Sequence, residues 1–229
     1  MAYDKRISLD PRLTLIAEMA GSCGCCADIG SDHGRLGAFM LQNAYCERVV
    51  FTDISAPSLE KAKRLTALLG LSDRADFCVG DGARALNRRV DVAVIAGMGG
   101  ETISSIIQNA QGHLDGARLL LQPNVAAPQL RAALNRGGWR ISREALARDG
   151  RRIYPIIEAV EGCQALNEAE LEVGPTLLCE KPPLLRDYAR FHIRIAEKAL
   201  SGALRGDDAA SISALERTLE IWKDVEKWL

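Results

Sequence analysis

The chain has 229 residues, 48% hydrophobic and 26% charged, with a formal net charge of −1. That length holds one α/β domain with a small appendage and excludes a second full domain. The near-neutral balance excludes a global pull towards nucleic acid, so such a partner needs a local basic patch.

Met1 to Ala20 carries Asp4, Asp10 and Glu18 and lacks the basic start and unbroken apolar core of a secretory signal. No apolar run reaches the length of a membrane span, so a cytoplasmic enzyme without membrane attachment is expected. The first predicted helix is Asp10 to Ala20: Pro11 tolerates a first-turn position, Leu9, Leu13, Ile16 and Ala20 share a face, and Gly21 ends it.

The stretch from Cys25 to Leu36 then joins a short apolar strand to a new helical pattern through a tight turn. Gly30 and Gly34 carry no Cβ and let the backbone approach a ligand. Leu36, Phe39, Met40 and Asn43 continue at helical spacing. Asp28 is informative, because a carboxylate just before the first glycine would repel the pyrophosphate of a dinucleotide. Asp-x-Gly-x-x-x-Gly instead suits a ligand that is cationic there, such as the amino-acid end of S-adenosylmethionine, with Asp28, Gly30, Ser31 and Gly34 as its contacts. A dinucleotide is the alternative.

Seven cysteines raise the question of a metal. Cys23, Cys25 and Cys26 crowd one strand start, and Cys46, Cys78, Cys163 and Cys179 lack the paired spacings of a zinc site. Cys25 and Cys26 must face opposite sides of a strand. They read as small buried residues in a reducing compartment, with no metal.

A second strand, Val49 to Asp53, ends in an acid 19 residues beyond Gly34, near the ~20-residue offset at which an acid reaches ribose hydroxyls. Asp53 and the adjoining Ile54 are therefore expected at the cofactor, with a helix cap as the alternative for Asp53. Ser58 to Leu69 reads as a helix with Leu59, Ala62, Leu65, Ala67, Leu68 and Leu69 apolar. A third strand, Asp76 to Val79, ends at Gly80-Asp81-Gly82, where Asp81 and Gly82 suit the cofactor's adenine or a simple turn. The fourth, Asp91 to Ala96, is apolar on both faces, as in the centre of a parallel sheet. Gly97-Met98-Gly99-Gly100 follows, so a ligand is expected close to the backbone, with Ala96, Gly97 and Met98 at the cofactor.

Glu101 to Ala110 reads as helix and Ala117 to Leu121 as the fifth strand, ending in Gln122-Pro123-Asn124. Gln122 and Asn124 offer amide donors and acceptors at the same sheet edge. After a helix from Pro128 to Arg136, strands Trp139 to Ala147 and Arg152 to Val160 read as a hairpin around Asp149-Gly150. The predicted fold class is α/β: an open, mostly parallel seven-stranded sheet covered on both faces, over residues 1–162.

Residues 163–229 form a predicted helical appendage. Lys181-Pro182-Pro183 leads into a long helix whose stripe is Leu184, Tyr188, Phe191, Ile195 and Ala199. A second helix, Asp208 to Leu229, carries Ile212, Leu215, Leu219, Trp222 and Val225, and Gly206-Asp207 turns between them into an antiparallel hairpin. Arg186, Arg190, Arg194 and Lys198, four apart, form either a solvated face or a rail for phosphates.

Four motifs carry a family resemblance: Asp28-Ile29-Gly30-Ser31-Asp32-His33, Val94 to Gly100, Leu120 to Asn124, and Gly174-Pro175 through Pro183. On these the chain resembles the bacterial tRNA adenine-N1-methyltransferases of the TrmK type, which modify adenine 22. The resemblance implies a Rossmann-like class I methyltransferase fold with a C-terminal helical hairpin, S-adenosyl-L-methionine as donor and tRNA as substrate. It departs from the family where Gly34-Arg35-Leu36-Gly37 replaces Ala-Tyr-Leu-Pro, so Arg35 takes the place of an aromatic beside the site. The usual acid after the fourth strand is absent. Asp32 with His33 is expected to supply its function and Asn124 or Gln122 to position the base, while a helix cap at Asp32 and a packing role for His33 stay open. Gly99, Gly100, Pro123, Arg35 and the arginines of the rail complete the expected substrate contacts. Arg140, Arg143, Arg148, Arg151 and Arg152 around the hairpin are further RNA anchors. A monomer is expected, with a homodimer open. Another RNA, protein or small-molecule acceptor, or a non-catalytic cofactor- and RNA-binding module, is the alternative function.

Overall fold

The computed structural model describes residues 6–206 and 209–229. Helix α1 is Pro11–Ala20; Asp10 caps it by accepting from the Leu13 amide at 2.8 Å. Strand β1 is Cys23–Ile29, followed by α2, Arg35–Gln42, and β2, Cys46–Asp53. Helix α3, Ala56–Leu68, is capped by Ser55, which accepts from the Ser58 amide at 3.3 Å, and leads to β3, Ala75–Val79. Then come β4, Val92–Gly99, α4, Gly100–Gln108, β5, Arg118–Val125, and α5, Ala127–Arg136. Strands β6, Trp139–Asp149, and β7, Arg152–Glu161, form the hairpin, with Gly150 and Arg151 as its loop.

The sheet order is β3-β2-β1-β4-β5-β7-β6, and only β7 runs against the rest. The strand order reverses between β1 and β4, so a crevice opens beyond their carboxyl ends. One face buries Ile16, Met40, Phe51 and Leu59 beneath α1 to α3; the other buries Ile95, Ile103, Leu121 and Leu130 beneath α4 and α5. Cys26 lies on the first face and Cys25 packs on the second, as strand alternation requires. Cys23, Cys26 and Cys46 share the first face; the hydrogen bond to Cys23 and burial push the Cys26 and Cys46 thiols up. In α3 Leu59 and Ala62 are buried as expected, but Thr66 completes the face and bonds back to the Ala62 and Lys63 carbonyls, whereas Leu68 is exposed.

Two short helices, α6, Glu168–Glu172, and α7, Pro175–Glu180, precede α8, Leu185–Gly206, and α9, Ala209–Lys227. The expected Asp207 turn and the Asp208 helix start lie outside the described residues, as does Asp4. The buried stripe of α8 is Leu185, Tyr188, Ala189, Ile193 and Ala196, one step round from the expected one; Ile195 is 48% exposed. That stripe, with Trp222 and Val225 of α9, packs on Leu146 and Ile153 of the β6–β7 hairpin. His192 stacks on Trp222 at 4.4 Å, and burial lowers its pKa to about 4. The helices are tied to the sheet by a fully buried pair, Arg131 of α5 and Glu144 of β6, at 2.8 Å. Arg131 also donates to the Leu171 and Glu172 carbonyls, and Glu144 accepts from the Thr176 amide.

Candidate active site

Asp28, Gly30, Ser31, Asp32, His33, Arg35, Ala96, Gly97 and Met98 all line one cleft of about 350 Å³ at the β1/β4 reversal. A larger hollow of about 540 Å³ lies between the carboxyl ends of α4 and α5, at the opposite edge of the sheet. The smaller one is the candidate active site, because the ends of β1 and β4, with their carboxylates and glycine turns, converge there.

Asp28 ends the apolar run of β1 and is buried; it accepts the Gly37 amide at 3.1 Å. Burial, helped by the charge of Asp53, pushes its carboxyl up to about 7. A cationic partner would reverse that shift. Gly30 has φ +71, and a Cβ there would run into the Met98 methyl, so the β4 loop closes directly over the first turn. Ser31 Oγ is buried without a partner among the described residues. Asp53 caps no helix: it accepts from the Ser55 amide at 2.8 Å and the Asp32 amide at 3.1 Å, joining the ends of β1 and β2. Ile54 beside it is 75% exposed.

Asp32 and His33 stand at the exposed rim. His33 lies 2.9 Å from Lys61 Nζ, and Asp32 is 3.8 Å from the same ammonium and 3.7 Å from His33. Asp32 caps no helix either, since α2 starts after Gly34. Arg35 donates to the Ser8 carbonyl at 2.6 Å and so pins the segment before α1 to the cleft wall.

Gly34 and Gly100 face inward instead. A Cβ on Gly34 would meet Ala62 Cβ at 2.5 Å, and one on Gly100 would strike the Ala126 carbonyl, so both serve helix packing. Gly99 stands at the N-cap of α4, where a Cβ would make ordinary contacts with Val125 at 3.8 Å and Thr102 at 3.9 Å. Asp81 is exposed, and the Gly82 carbonyl is held by Thr52 Oγ1 at 3.3 Å beside the end of β2. Arg186, Arg190 and Arg194 line α8 outside the cleft, and Arg190 is held by Glu226 at 2.7 Å.

Gln122 is fully buried and Asn124 exposed on the end of β5, with the buried Pro123 between them in register with Met98. Gln122 Oε1 accepts from the Gly97 amide at 3.1 Å, and Asn124 Nδ2 donates to the Gly97 carbonyl at 2.7 Å. The pair register shifts around Met98, and Gly97, at φ +80, makes the bulge. Sequence reasoning missed Arg12 of α1, whose guanidinium lines the cleft, donates to Gln122 Oε1 and lies 5.6 Å over the Tyr154 ring. No spacing in the sequence links Arg12 to these partners.

The donor set fits S-adenosylmethionine: a buried carboxylate for an ammonium, an unpartnered hydroxyl, and an acid at the end of β2 for a ribose diol. No group of three or more His, Cys, Asp or Glu side chains suited to a metal occurs among the described residues.

Comparison with known proteins agrees with this chemistry. A methyltransferase-domain family matches residues 9–157. The tRNA (adenine(22)-N(1))-methyltransferase of Bacillus subtilis (strain 168) is 30% identical over 183 residues, 76% of this chain and 77% of that protein. The chain belongs to the tRNA (adenine(22)-N(1))-methyltransferase family. A solved structure of a Streptococcus pneumoniae protein described as a putative tRNA (m1A22) methyltransferase superposes with a TM-score of 0.88 at 25% identity, covering 96% of this chain and 100% of that one. The same protein solved in complex with S-adenosyl-L-methionine gives 0.86 at 24% identity, with 96% and 100% covered. In this tRNA methyltransferase family member, Asp28-x-Gly30 and Gly97-Met98 sit on the walls of the cleft at the β1/β4 reversal.

Proposed function

We propose that this protein methylates N1 of adenine 22 in tRNA, with S-adenosyl-L-methionine as donor. The observation that carries the reading is the meeting, in one cleft, of the buried Asp28 carboxylate of β1 with the Gly97-Met98 turn of β4, whose Gly97 peptide is bonded to the Gln122 and Asn124 amides of β5. When bound, S-adenosylmethionine supplies a methyl group made electrophilic by its sulfonium. Asp28 holds the ammonium of the amino-acid end, Ser31 donates to or accepts from that end, and Asp53 takes the ribose hydroxyls. Asp81 and the exposed Ile54 flank the adenosine.

The protein's main task is alignment, since N1 of neutral adenine already has a lone pair. Asn124 orients the base. Asp32, at the rim, stabilises positive charge as it develops on the ring and takes a proton from the exocyclic amine. Asp32→Ala is expected to slow methylation at least about tenfold with cofactor affinity unchanged. Full activity in that variant removes Asp32 from the chemistry.

The adenine must leave its stack, which costs a few kcal/mol and needs anchors elsewhere on the RNA. Arg186 and Arg194 of α8, with Arg140, Arg143, Arg151 and Arg152 of the hairpin, serve as those anchors, and residues 163–229 act as an RNA-facing unit. We place the enzyme in the cytoplasm as a monomer; no described helix is long and apolar enough to cross a membrane. The test is incubation with labelled S-adenosylmethionine and unmodified bacterial tRNA, followed by mapping of the labelled nucleoside. Label on N1 of adenine 22 supports the reading. No label, with cofactor binding intact by calorimetry, overturns the substrate.

A further inference from the structure

We infer that Arg12 is a positioning residue that, with the Gly97 peptide, locks Gln122 and Asn124 in one orientation, so that Asn124 presents an acceptor to the exocyclic amine of the target base. The inference rests on the proposed reading that an adenine enters this cleft. Gln122 Oε1 faces two groups, the Arg12 guanidinium and the Gly97 amide at 3.1 Å. Both can only donate, so the atom between them must be the oxygen. The Gln122 amide nitrogen is thereby turned to Asn124, whose Oδ1 accepts from it at 3.2 Å. Asn124 Nδ2 is then directed to the Gly97 carbonyl at 2.7 Å, a group that can only accept. The relay runs in one direction and is closed at both ends.

Two residues hold the start of this relay in place. Arg12 is itself fixed by the Tyr154 ring beneath it and by Asp10 at 3.5 Å. Gln122 is fully buried and cannot turn to solvent for a substitute partner. Of the three relay side chains Asn124 alone is exposed, and its Oδ1 keeps one lone pair after accepting from Gln122.

That lone pair decides what the site reads. The attacking N1 must stay free of donors, and adenine brings an N–H donor at the neighbouring exocyclic position. An acceptor there pairs with adenine and repels the carbonyl of guanine or hypoxanthine. Reversed, Asn124 would set N–H against N–H. Its orientation therefore separates adenine from the other purines, and Arg12, 110 residues away in sequence, helps to hold it.

The test compares two synthetic tRNAs that differ only at the target position, one with adenine and one with unsubstituted purine, which keeps N1 but lacks the amine. kcat/KM is measured for each, with cofactor affinity by calorimetry as the control for an intact site. The wild-type protein is expected to prefer adenine by about tenfold or more. Asn124→Ala is expected to lower the ratio several-fold by slowing adenine more than purine, and to leave the part of the ratio set by Asp32 and by the weaker N1 nucleophile of purine. Arg12→Met should lower the ratio in the same direction, and Arg12→Lys, which retains a donor, should keep most of it. A wild-type ratio near one, or variants that slow both tRNAs equally, overturns the inference while leaving the methyltransferase reading in place. Failure of the wild-type protein to methylate either tRNA overturns both. If Arg12→Met does not fold, Asn124→Ala and Arg12→Lys still decide.

Discussion

Asp28 is the residue whose environment most clearly demands a ligand. Its carboxyl is pushed up to about 7 by burial, against about 3.8 in an unfolded chain. Between those values the folded state binds more protons than the unfolded one, so this group's contribution to stability is present below pH 4 and is lost as pH rises through 7. The shift corresponds to ~4 kcal/mol between the two limits, as an order of magnitude. Asp28→Asn is therefore expected to melt higher than wild type at pH 8 without cofactor, and to flatten the pH dependence of melting between pH 4 and 7. The same variant should bind S-adenosylmethionine at least about tenfold more weakly in calorimetry, because the ammonium loses its partner. A variant that melts lower at pH 8 would show that Asp28 is satisfied without a ligand.

At the scale of elements, the site exists because glycines let neighbouring elements close on one another. A Cβ on Gly37 would meet Phe51 Cζ at 2.7 Å and Val49 Cγ1 at 2.8 Å, and Phe51 is braced by stacking on Phe77 at 5.2 Å. Gly37→Ala gains roughly 0.5–1 kcal/mol of helix propensity but loses about 1–3 kcal/mol to overpacking, so a lower melting temperature is expected. The amide that Gly37 offers Asp28 should shift with α2, and cofactor affinity should fall as well. The sheet was legible because β1, β2 and β4 are apolar runs ending in acids or glycines and β5 is one ending in Gln122-Pro123-Asn124, and the Asp28 to His33 and Gly97-Met98 motifs stand at the ends of β1 and β4. The face of α8 was misread because its apolar residues fit two adjacent stripes at spacings of three and four, and only docking on Leu146 and Ile153 selects Leu185 and Ile193 over Leu184 and Ile195. Arg12 escaped notice for a related reason: α1 meets β5 and Tyr154 of β7 only in the tertiary fold.

Across the whole molecule, one polar seam sets how the C-terminal helices sit on the sheet. Arg131 and Glu144 are both fully buried, and their remaining bonds run to the Leu171 and Glu172 carbonyls and to Thr176; Glu172 in turn accepts from Trp222 Nε1 at 2.7 Å. Arg131→Met should cost about 3–5 kcal/mol in denaturant unfolding, because it strands a buried carboxylate, and Arg131→Met with Glu144→Leu should recover part of that loss. The seam fixes the direction in which α8 carries its cations. Its amino end is tied by Asp187 to Arg148, near the carboxyl end of β6 and hence on the cleft's side of the sheet. Arg190 is already neutralised by Glu226, whereas Arg186 and Arg194 remain exposed for phosphates. Each phosphate contact contributes close to 0.9 to the slope of log K against log salt on a duplex. Replacing Arg186 and Arg194 together by alanine should thus lower the slope for tRNA binding by about two, while methyl transfer at saturating tRNA stays near wild type. An unchanged slope would move the anchoring surface to the arginines of the β6–β7 hairpin, and a fall in saturated turnover would mean that α8 also shapes the cleft.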